Sequence, residues 1–511
     1  MKQAVLLLLG LCVIAGLTGC GGHQDFSAVR NAAAATDQTP VLKPDYTNIT
    51  VPPNIGPLNF VIEESGARFF TRIAGKKGEP ITVFSKNAEV RFPPGPWRKL
   101  LLINQGDTLS IDVCIRQSDG SWRGFRTIKN AVSSDRTDPY IMYRTLSVLY
   151  IYSRDLCLYQ RDLETNRESE MLNALNFFPG CCNCHTFANN DPSRAFFHVR
   201  TQDFGNSALV VTNGTVGKIP TKFGYTSWHP NGKLIVYSVN KVDQCFHAAW
   251  KDPRDAFDFT SGLKVYRVDK QKIVTVPQIF KETALETWPC WSADGTCLYF
   301  SSGLISWTDF KTQPPEHLEQ TRYSLMRIPY DEKNDSWGSV DTMLSANVTG
   351  KSITQPRVSP DGKFIVFCMH PYGPSPYLQP GSDLYIMDIA TRKYGPLAVN
   401  SEWSESWHSW SSNSRWLAFT SKRNGGIMGR IYLAHIDANG KAAKPFILPQ
   451  NDPRFYDSFI KVYNVPEFAI SRFTVPQQAL VSAIRSYKKL DVDVPAITGA
   501  TPAIKAPPKP E

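Results

Sequence analysis

Four stretches of the chain align without a gap: 228–238 (WHPNGKLIVYS), 291–301 (WSADGTCLYFS), 358–368 (VSPDGKFIVFC) and 410–420 (WSSNSRWLAFT). Each opens on an aromatic or apolar residue, passes through a polar turn and continues as an alternating strand. In three of them the turn closes on Asn231-Gly232, Asp294-Gly295 or Asp361-Gly362. That is a hairpin signature, because Gly takes up positive φ without steric cost. A further apolar strand follows each hairpin, at 263–268, 325–328, 384–389 and 431–436, so the repeating unit reads as a four-stranded β-meander. Such units cannot bury both faces alone and close radially into a β-propeller. The turn positions Gly232, Gly295, Gly362 and Ser414 lie 63, 67 and 52 residues apart, more than the ~40–45 of a compact blade, so the blades carry loop insertions. A degenerate blade near 195–213, and one closed jointly by the strands before 160 and after 456, bring the expected number to about six. Trp228, Trp291 and Trp410 are read as packing between blades.

Composition agrees with an all-β chain. Among 511 residues, 37 Pro and 33 Gly accompany 20 Tyr, 28 Phe and 12 Trp, the mark of many short strands and turns. Alternating runs such as Ile81-Thr82-Val83-Phe84, Leu100-Leu101-Leu102-Ile103 and Leu109-Ser110-Ile111-Asp112-Val113 suggest a small β-sandwich before the repeats. From Arg161 to Phe178, Leu163, Met171, Leu172 and Leu175 fall at roughly helical spacing, which predicts a helix or ordered loop. The net charge of +10 is scattered. No basic cluster is interleaved with stacking aromatics, so no nucleic-acid partner is expected.

The first residues, MKQAVLLLLGLCVIAGLTGCGG, combine a short basic start, an apolar run and small residues beside a cysteine. This is a signal peptide. Leu17-Thr18-Gly19-Cys20 looks like the bacterial lipobox, in which Cys20 is lipidated and becomes the first mature residue. The chain is then expected to face the periplasm from a lipid anchor, with Gly21 favouring the outer over the inner membrane. Several acyl chains together hold far better than one. Of 11 cysteines, Cys12 and Cys20 are accounted for, which leaves nine. An odd number in a disulfide-permissive space implies that some have another task.

Cys181-Cys182-Asn183-Cys184-His185 contains C-x-x-C-H, the attachment pattern of c-type haem. Two thiols at this spacing, Cys181 and Cys184, reach the two vinyl groups of one porphyrin edge, and the His185 imidazole reaches the iron. Three rival readings use the same residues: a zinc site from Cys181, Cys182, Cys184 and His185, a disulfide with His185 incidental, and a thioredoxin-like redox pair. Zinc sites usually pair two separated couples, and no βαβ pattern surrounds the motif. For a sixth iron ligand the candidates are Met171, His198, His229 and His247. His198, 13 residues past His185, is preferred on the expectation that the first blade folds back over a motif loop; a histidine satisfied on its strand is the bland alternative, and a five-coordinate iron stays open. Cys290 and Cys297 flank the Asp294-Gly295 turn and could pair across a hairpin. Cys114, Cys157, Cys245 and Cys368 lie in or beside apolar runs and read as buried thiols.

The W-S-x-D-G-x-x-L-x-F-x-S pattern, with Ala418 to Gly426 (AFTSKRNGG) after one blade, resembles the periplasmic TolB-like propellers over about 196–449. With the segment YQRDL at 159–163, C-x-x-C-H-T-F, FHVR at 197–200, WHPNG at 228–232 and QCFH at 244–247, the chain further resembles exported Bacteroidetes-type proteins. In these a TolB-like propeller is joined to a C-x-x-C-H loop. The extra Cys182 departs from that pattern and leaves room for a disulfide. The resulting layout is a signal peptide over 1–19, a tether over 20–53, a β-sandwich-like domain over 54–135, a connecting segment with the motif loop over 136–192, a propeller over 193–475 and a disordered Pro/Lys-rich tail over 476–511. The expected function is electron transfer or redox-dependent partner binding by one covalent haem c, with a protein docked on the propeller face. A haem-free scaffold binding proteins or glycans, and a peroxidase-like haem enzyme, are the alternatives. No G-x-S-x-G elbow occurs, which argues against a propeller hydrolase.

Overall fold

The computed structural model describes residues 25–148, 155–177, 179–246, 252, 254–305, 307 and 315–492. The signal peptide, Cys20 and His247 lie outside these residues. Among them, six four-stranded antiparallel units resemble propeller blades. Blade 1 is Gly180–Ala188, Asp191–Thr201, Ser207–Thr212 and Thr215–Ile219, and blade 2 is Thr226–Trp228, Leu234–Phe246, Arg254–Arg267 and Lys272–Thr275. Blade 3 is Ala284–Trp291, Cys297–Leu304, Tyr323–Asp331 and Asp341–Leu344. Blade 4 is Ser352–Val358, Phe364–His370, Asp383–Asp388 and Tyr394–Pro396, and blade 5 is Glu405–Trp410, Trp416–Ser421, Arg430–His435 and Phe446–Ile447. Blade 6 takes its inner strand, Lys461–Ala469, from the end of the chain and the other three, Tyr140–Ser147, Cys157–Asp162 and Glu168–Asn173, from before blade 1. Each first strand touches the next around a closed ring.

The repeat turns hold as read. Gly232, Gly295 and Gly362 have φ of +74°, +74° and +72°, and Ser414 takes the same conformation at +61°. In blades 3 to 5 a serine locks each turn: the hydroxyls of Ser292, Ser359 and Ser411 accept from the backbone N–H of Cys297, Phe364 and Trp416. His229 stands in that place in blade 2 and reaches across to the carbonyl of Gly295, 3.1 Å away. It is a link between blades rather than an open ligand.

Four sequence-level boundaries move. Residues 25–53 are not a tether. Phe26 and Val29 pack on Phe70 and Cys114, while Leu42, Tyr46, Ile49 and Val51 join the main core. Apolar residues every few positions escape notice among Ala, Thr and Pro. Leu100 to Ile103 is the end of a helix, Pro94–Ile103, not a strand. Prolines at its start suit a helix N-terminus, and Trp97, Leu100 and Leu101 fall at i, i+3 and i+4. The preceding unit is therefore a seven-stranded and a three-stranded sheet with this helix. Residues 168–173 form a strand and 174–177 a 3₁₀ turn, because pairing with 157–162 outweighs the helical spacing. Residues 477–485 form a helix that buries Leu480, Val481 and Ile484, so the tail is folded at least to residue 492.

The N-terminal sheets share one continuous core with blades 4 to 6, from Phe60 and Trp97 to Trp416 and Phe468. Phe468, on the strand that completes blade 6, is fully buried. We expect Phe468→Ala to cost about 3–5 kcal/mol in urea unfolding, against a change below about 1 kcal/mol if the last strand were a detachable edge.

Candidate functional site

The inner strands of blades 1 and 3 to 6 carry an irregularity at one place. In blade 3 the pairing steps from Thr287↔Ser301 to Cys290↔Tyr299, leaving Trp288 and Pro289 opposite Phe300 alone. Blades 4, 5 and 6 repeat this bulge at Gln355-Pro356, Trp407-His408 and Val465-Pro466. Trp288, Gln355, Trp407 and Val465 have φ of +53°, +53°, +51° and +50°, a strained conformation for bulky residues. Blade 1 repeats the step from Cys182↔Val199 to His185↔Phe197, so its bulge is Asn183-Cys184. The C-x-x-C-H motif therefore lies in an inner strand, not in a loop before the first blade. The hydrogen-bonding demand of a closing ring recruits it as a strand.

The shared register defines a ring of side chains. Two residues after the start of each bulge stand His185, Cys290, Arg357, Ser409 and Glu467, with Ser227 in blade 2. All six line one chamber of about 380 Å³ at the turn end of the central channel. His185 is 5% exposed, and neither ring nitrogen has a hydrogen-bond partner. Its Nε2 stands 3.7 Å from Glu467 Oε2. Burial, reinforced by the Arg144 charge, pushes His185 down to about 3, so the imidazole is neutral and the contact is no ion pair at pH 7. Glu467 accepts from Phe187 N at 2.9 Å and Thr186 Oγ1 at 3.3 Å. Burial pushes its carboxyl up to about 7.

Beyond a waist formed by Trp288, Gln355 and Trp407 lies a second chamber of about 170 Å³. Cys184 and His198 open into it. The long hairpin of blade 2, residues 234–246 and 254–267, lies over this end, held by Tyr372 Oη donating to Asp255 Oδ2 at 2.6 Å and by Lys422 pairing with Asp252. His198, opposite the blade-1 bulge, takes the place filled by Phe300, Phe367, Phe419 and Tyr143 in blades 3 to 6. It is 1% exposed, and burial followed by the Arg200 and Lys222 charges keeps it neutral.

The predicted site residues are thus divided. Cys182 is in the core and Cys181 packs against its edge. Cys184 and His185, adjacent in sequence, open to opposite sides of the waist. His198 shares the chamber of Cys184, not that of His185, so the two imidazoles do not face one another; the blade-1 strand does not fold back over a loop, because there is no loop. Met171 is core. Among the described residues no three metal-ligating side chains are gathered, which removes the four-ligand zinc reading. All nine described cysteines are free thiols. Cys290 pairs in register with Tyr299, and Cys297 with Pro329, so these two do not meet across the hairpin. Burial raises the thiols of Cys181 and Cys184 against the pull of Arg144 and Arg200.

In kind, the donor set is that of a c-type haem, two free thiols and a neutral, unpartnered buried imidazole, but Cys181, Cys184 and His185 do not converge on one chamber. The ring of Ser227, Cys290, Arg357, Ser409 and Glu467 was missed by sequence reasoning. Extending each aligned segment back by one residue exposes four of its members, since Ser227, Cys290, Arg357 and Ser409 all lie five residues before the turn position.

No family model matches the chain, and no curated protein matches it. Among solved structures it is similar to TolB from Acinetobacter baumannii, at 14% identity and TM-score 0.42, over 71% of this chain and 80% of that one. It is also similar to an oligogalacturonate lyase in complex with manganese, at 13% identity and TM-score 0.34, over 73% of this chain and 99% of that one. A third is the tricorn protease, at 13% identity and TM-score 0.35, over 71% of this chain and 34% of that one.

Asp258, beside the second chamber, is 2% exposed; burial pushes it up to about 7, partly opposed by the Asn240 hydrogen bond and Lys222. Its folded pKa exceeds its unfolded one, so the native state binds more protons and stability falls as pH rises from about 4 to about 7. Asp258→Asn should flatten the profile in that window when melting is followed against pH; an unchanged slope would assign the pH dependence to other groups.

Proposed function

We propose that this is a lipid-anchored, periplasm-facing propeller protein whose C-x-x-C-H motif carries one covalent c-type haem, serving electron transfer or redox-dependent partner binding. The carrying observation is His185: a buried, neutral imidazole with neither ring nitrogen partnered, next to the free thiol of Cys184. An unsatisfied buried polar group of this kind is costly unless something occupies it. Cys181 and Cys184 would hold the porphyrin and His185 the iron, supplying a one-electron centre within the ring. Burial of His185 keeps its lone pair available at neutral pH, with Glu467 Oε2 3.7 Å from Nε2 and not hydrogen-bonded to it. The lipid on Cys20 would hold the protein at the envelope, the outer membrane in preference to the inner, and the TolB-like propeller face would receive a protein partner.

The opposed directions of Cys184 and His185 favour a second reading, a haem-free scaffold that binds a partner or glycan through its channel. Here the motif is simply the blade-1 version of the common bulge.

Expression with a cytochrome c maturation system decides between them. The first reading predicts a c-type pyridine haemochrome, a denatured intact mass increased by one haem, and loss of both in the Cys181→Ala/Cys184→Ala variant. His185→Ala should abolish the redox signal. An unmodified mass despite competent maturation leaves the scaffold, in which His185→Ala spares partner binding.

A further inference from the structure

The first described residue, Asp25, follows Cys20 by five positions. Five residues reach at most about 18 Å, so acyl chains on Cys20 bring the surface around Asp25 against the bilayer. That surface is the outer face of the seven-stranded sheet. Helix Phe26–Ala32 lies on it, with Phe26 and Val29 packed on Phe70 and Cys114. The helix turns Ser27, Ala28, Asn31 and Ala32 outward, exposed and uncharged. Beside it, strands Arg68–Ala74, Ile81–Ser85 and Thr108–Arg116 pair in a register that places Arg68, Arg72, Phe84, Asp112 and Arg116 on the same face as Phe70 and Cys114. Arg68 and Arg116 are direct cross-strand partners, and like charges so placed are destabilising. Arg116 Nε donates to Gly120 O at 3.3 Å, while Arg68 and Arg72 lie over the Phe84 and Phe26 rings, each 5.8 Å from the centroid. None of the three is ion-paired among the described residues. Asp112, opposite Arg72, offsets one charge and accepts from Thr127 Oγ1 at 2.5 Å. Phe84 is 48% exposed and meets Phe70 edge-to-face at 5.3 Å.

We infer that this face docks on an anionic phospholipid bilayer, with Arg68, Arg72 and Arg116 at the level of the phosphates and Phe84 among the headgroups. The assignment rests on the lipid-anchor reading of Cys20. Guanidinium groups meet phosphate in two-point fashion, and each base near an anionic surface adds to the attraction. A phosphate layer also relieves the repulsion between Arg68 and Arg116, and an aromatic ring flanked by arginine suits the boundary between headgroups and acyl chains. The acyl chains already retain the protein, so the arginines supply orientation. The opposite face of the same strands, through Phe69, Ile73, Ile111 and Val113, joins the core shared with blades 4 to 6. Docking therefore leaves the propeller on the side away from the membrane.

The test is cosedimentation of the mature chain from residue 20, made without its signal peptide and so unacylated, with lipid vesicles. Binding is expected to vesicles of equal parts phosphatidylglycerol and phosphatidylethanolamine, falling with added salt, and not to phosphatidylcholine alone. Arg68→Gln and Arg116→Gln should each weaken it about fivefold, and Phe84→Ser should weaken it further. The Arg68→Gln/Arg116→Gln variant should melt at or above the parent temperature, since a facing pair of like charges is removed. Lys333→Gln/Lys393→Gln, on outer turns of blades 3 and 4, removes the same charge and should bind as the parent does. No binding to the anionic vesicles, equal loss in the two double variants, or undiminished binding by the folded arginine variant would overturn the docking. Tighter binding to polyglutamate than to vesicles would overturn it in favour of an acidic protein. Acylation is read separately, from the mass of the N-terminal peptide of protein extracted from membranes. An unacylated Cys20 overturns the anchor on which the orientation depends, whereas failed vesicle binding with Cys20 acylated overturns the docking alone.

Discussion

Ring closure by the last strand is the interaction on which the rest of the structure depends. Lys461–Ala469 pairs along its length with Tyr140–Ser147, more than 300 residues earlier. Without that pairing, blade 6 has an open inner edge, and both blade 1 and blade 5 lose a neighbour. A closed ring removes exposed edges, which otherwise invite pairing with other chains. Several hydrogen bonds converge on the seam. Asn190 Nδ2 donates to the carbonyls of Trp410 and Phe468, each at 3.0 Å, and Ile470 N donates to Asn190 O at 2.9 Å. The motif strand of blade 1, Gly180–Ala188, therefore ends where the ring is sealed, and Glu467, the residue beside His185, belongs to the sealing strand.

Closure also explains the waist. Inner strands must bring their side chains into a narrowing axis, and a bulge with one left-handed residue re-aims two successive side chains toward opposite ends. In blades 3 to 6 that strain falls on Trp288, Gln355, Trp407 and Val465. Tyr225 stacks on Trp288 at 3.3 Å between centroids, and Gln355 Oε1 accepts from Trp407 N at 2.7 Å. Packing and hydrogen bonding across the axis hold the bulges in place and divide the channel into two chambers of different chemistry.

The repeats made the blades legible because hairpin turns impose a residue type, Gly or Asn or Asp, at fixed distance from an alternating strand. The split blade was legible for the same reason: strand-like segments near 140–159 and after 456 had no partners elsewhere. The bulges were not legible, since no single residue type marks them; Pro follows in three blades, but His408 and Cys184 take that place in the others. The C-x-x-C-H motif was misleading as structure, because its spacing suggests a loop while its blade position demands a strand. The helix at 94–103 and the folded residues 25–53 depend on contacts with distant sheets, such as Trp97 Nε1 to Ile55 O at 2.9 Å, which local pattern cannot display.

Burial decides which chemistry the two chambers can host. At Cys181 and Cys184 the loss of hydration outweighs the neighbouring positive charges, and at His185 and His198 those charges reinforce it, leaving neutral thiols and neutral imidazoles. Cys184 has Arg144 and Arg200 nearby, an arrangement that in a wetter site would yield a reactive thiolate, yet its pKa is raised. Nucleophilic thiol chemistry is therefore disfavoured. The two chambers thus differ in lining, a neutral imidazole beside a carboxyl on one side of the waist and a neutral thiol among basic side chains on the other, with adjacent residues of one strand opening to each.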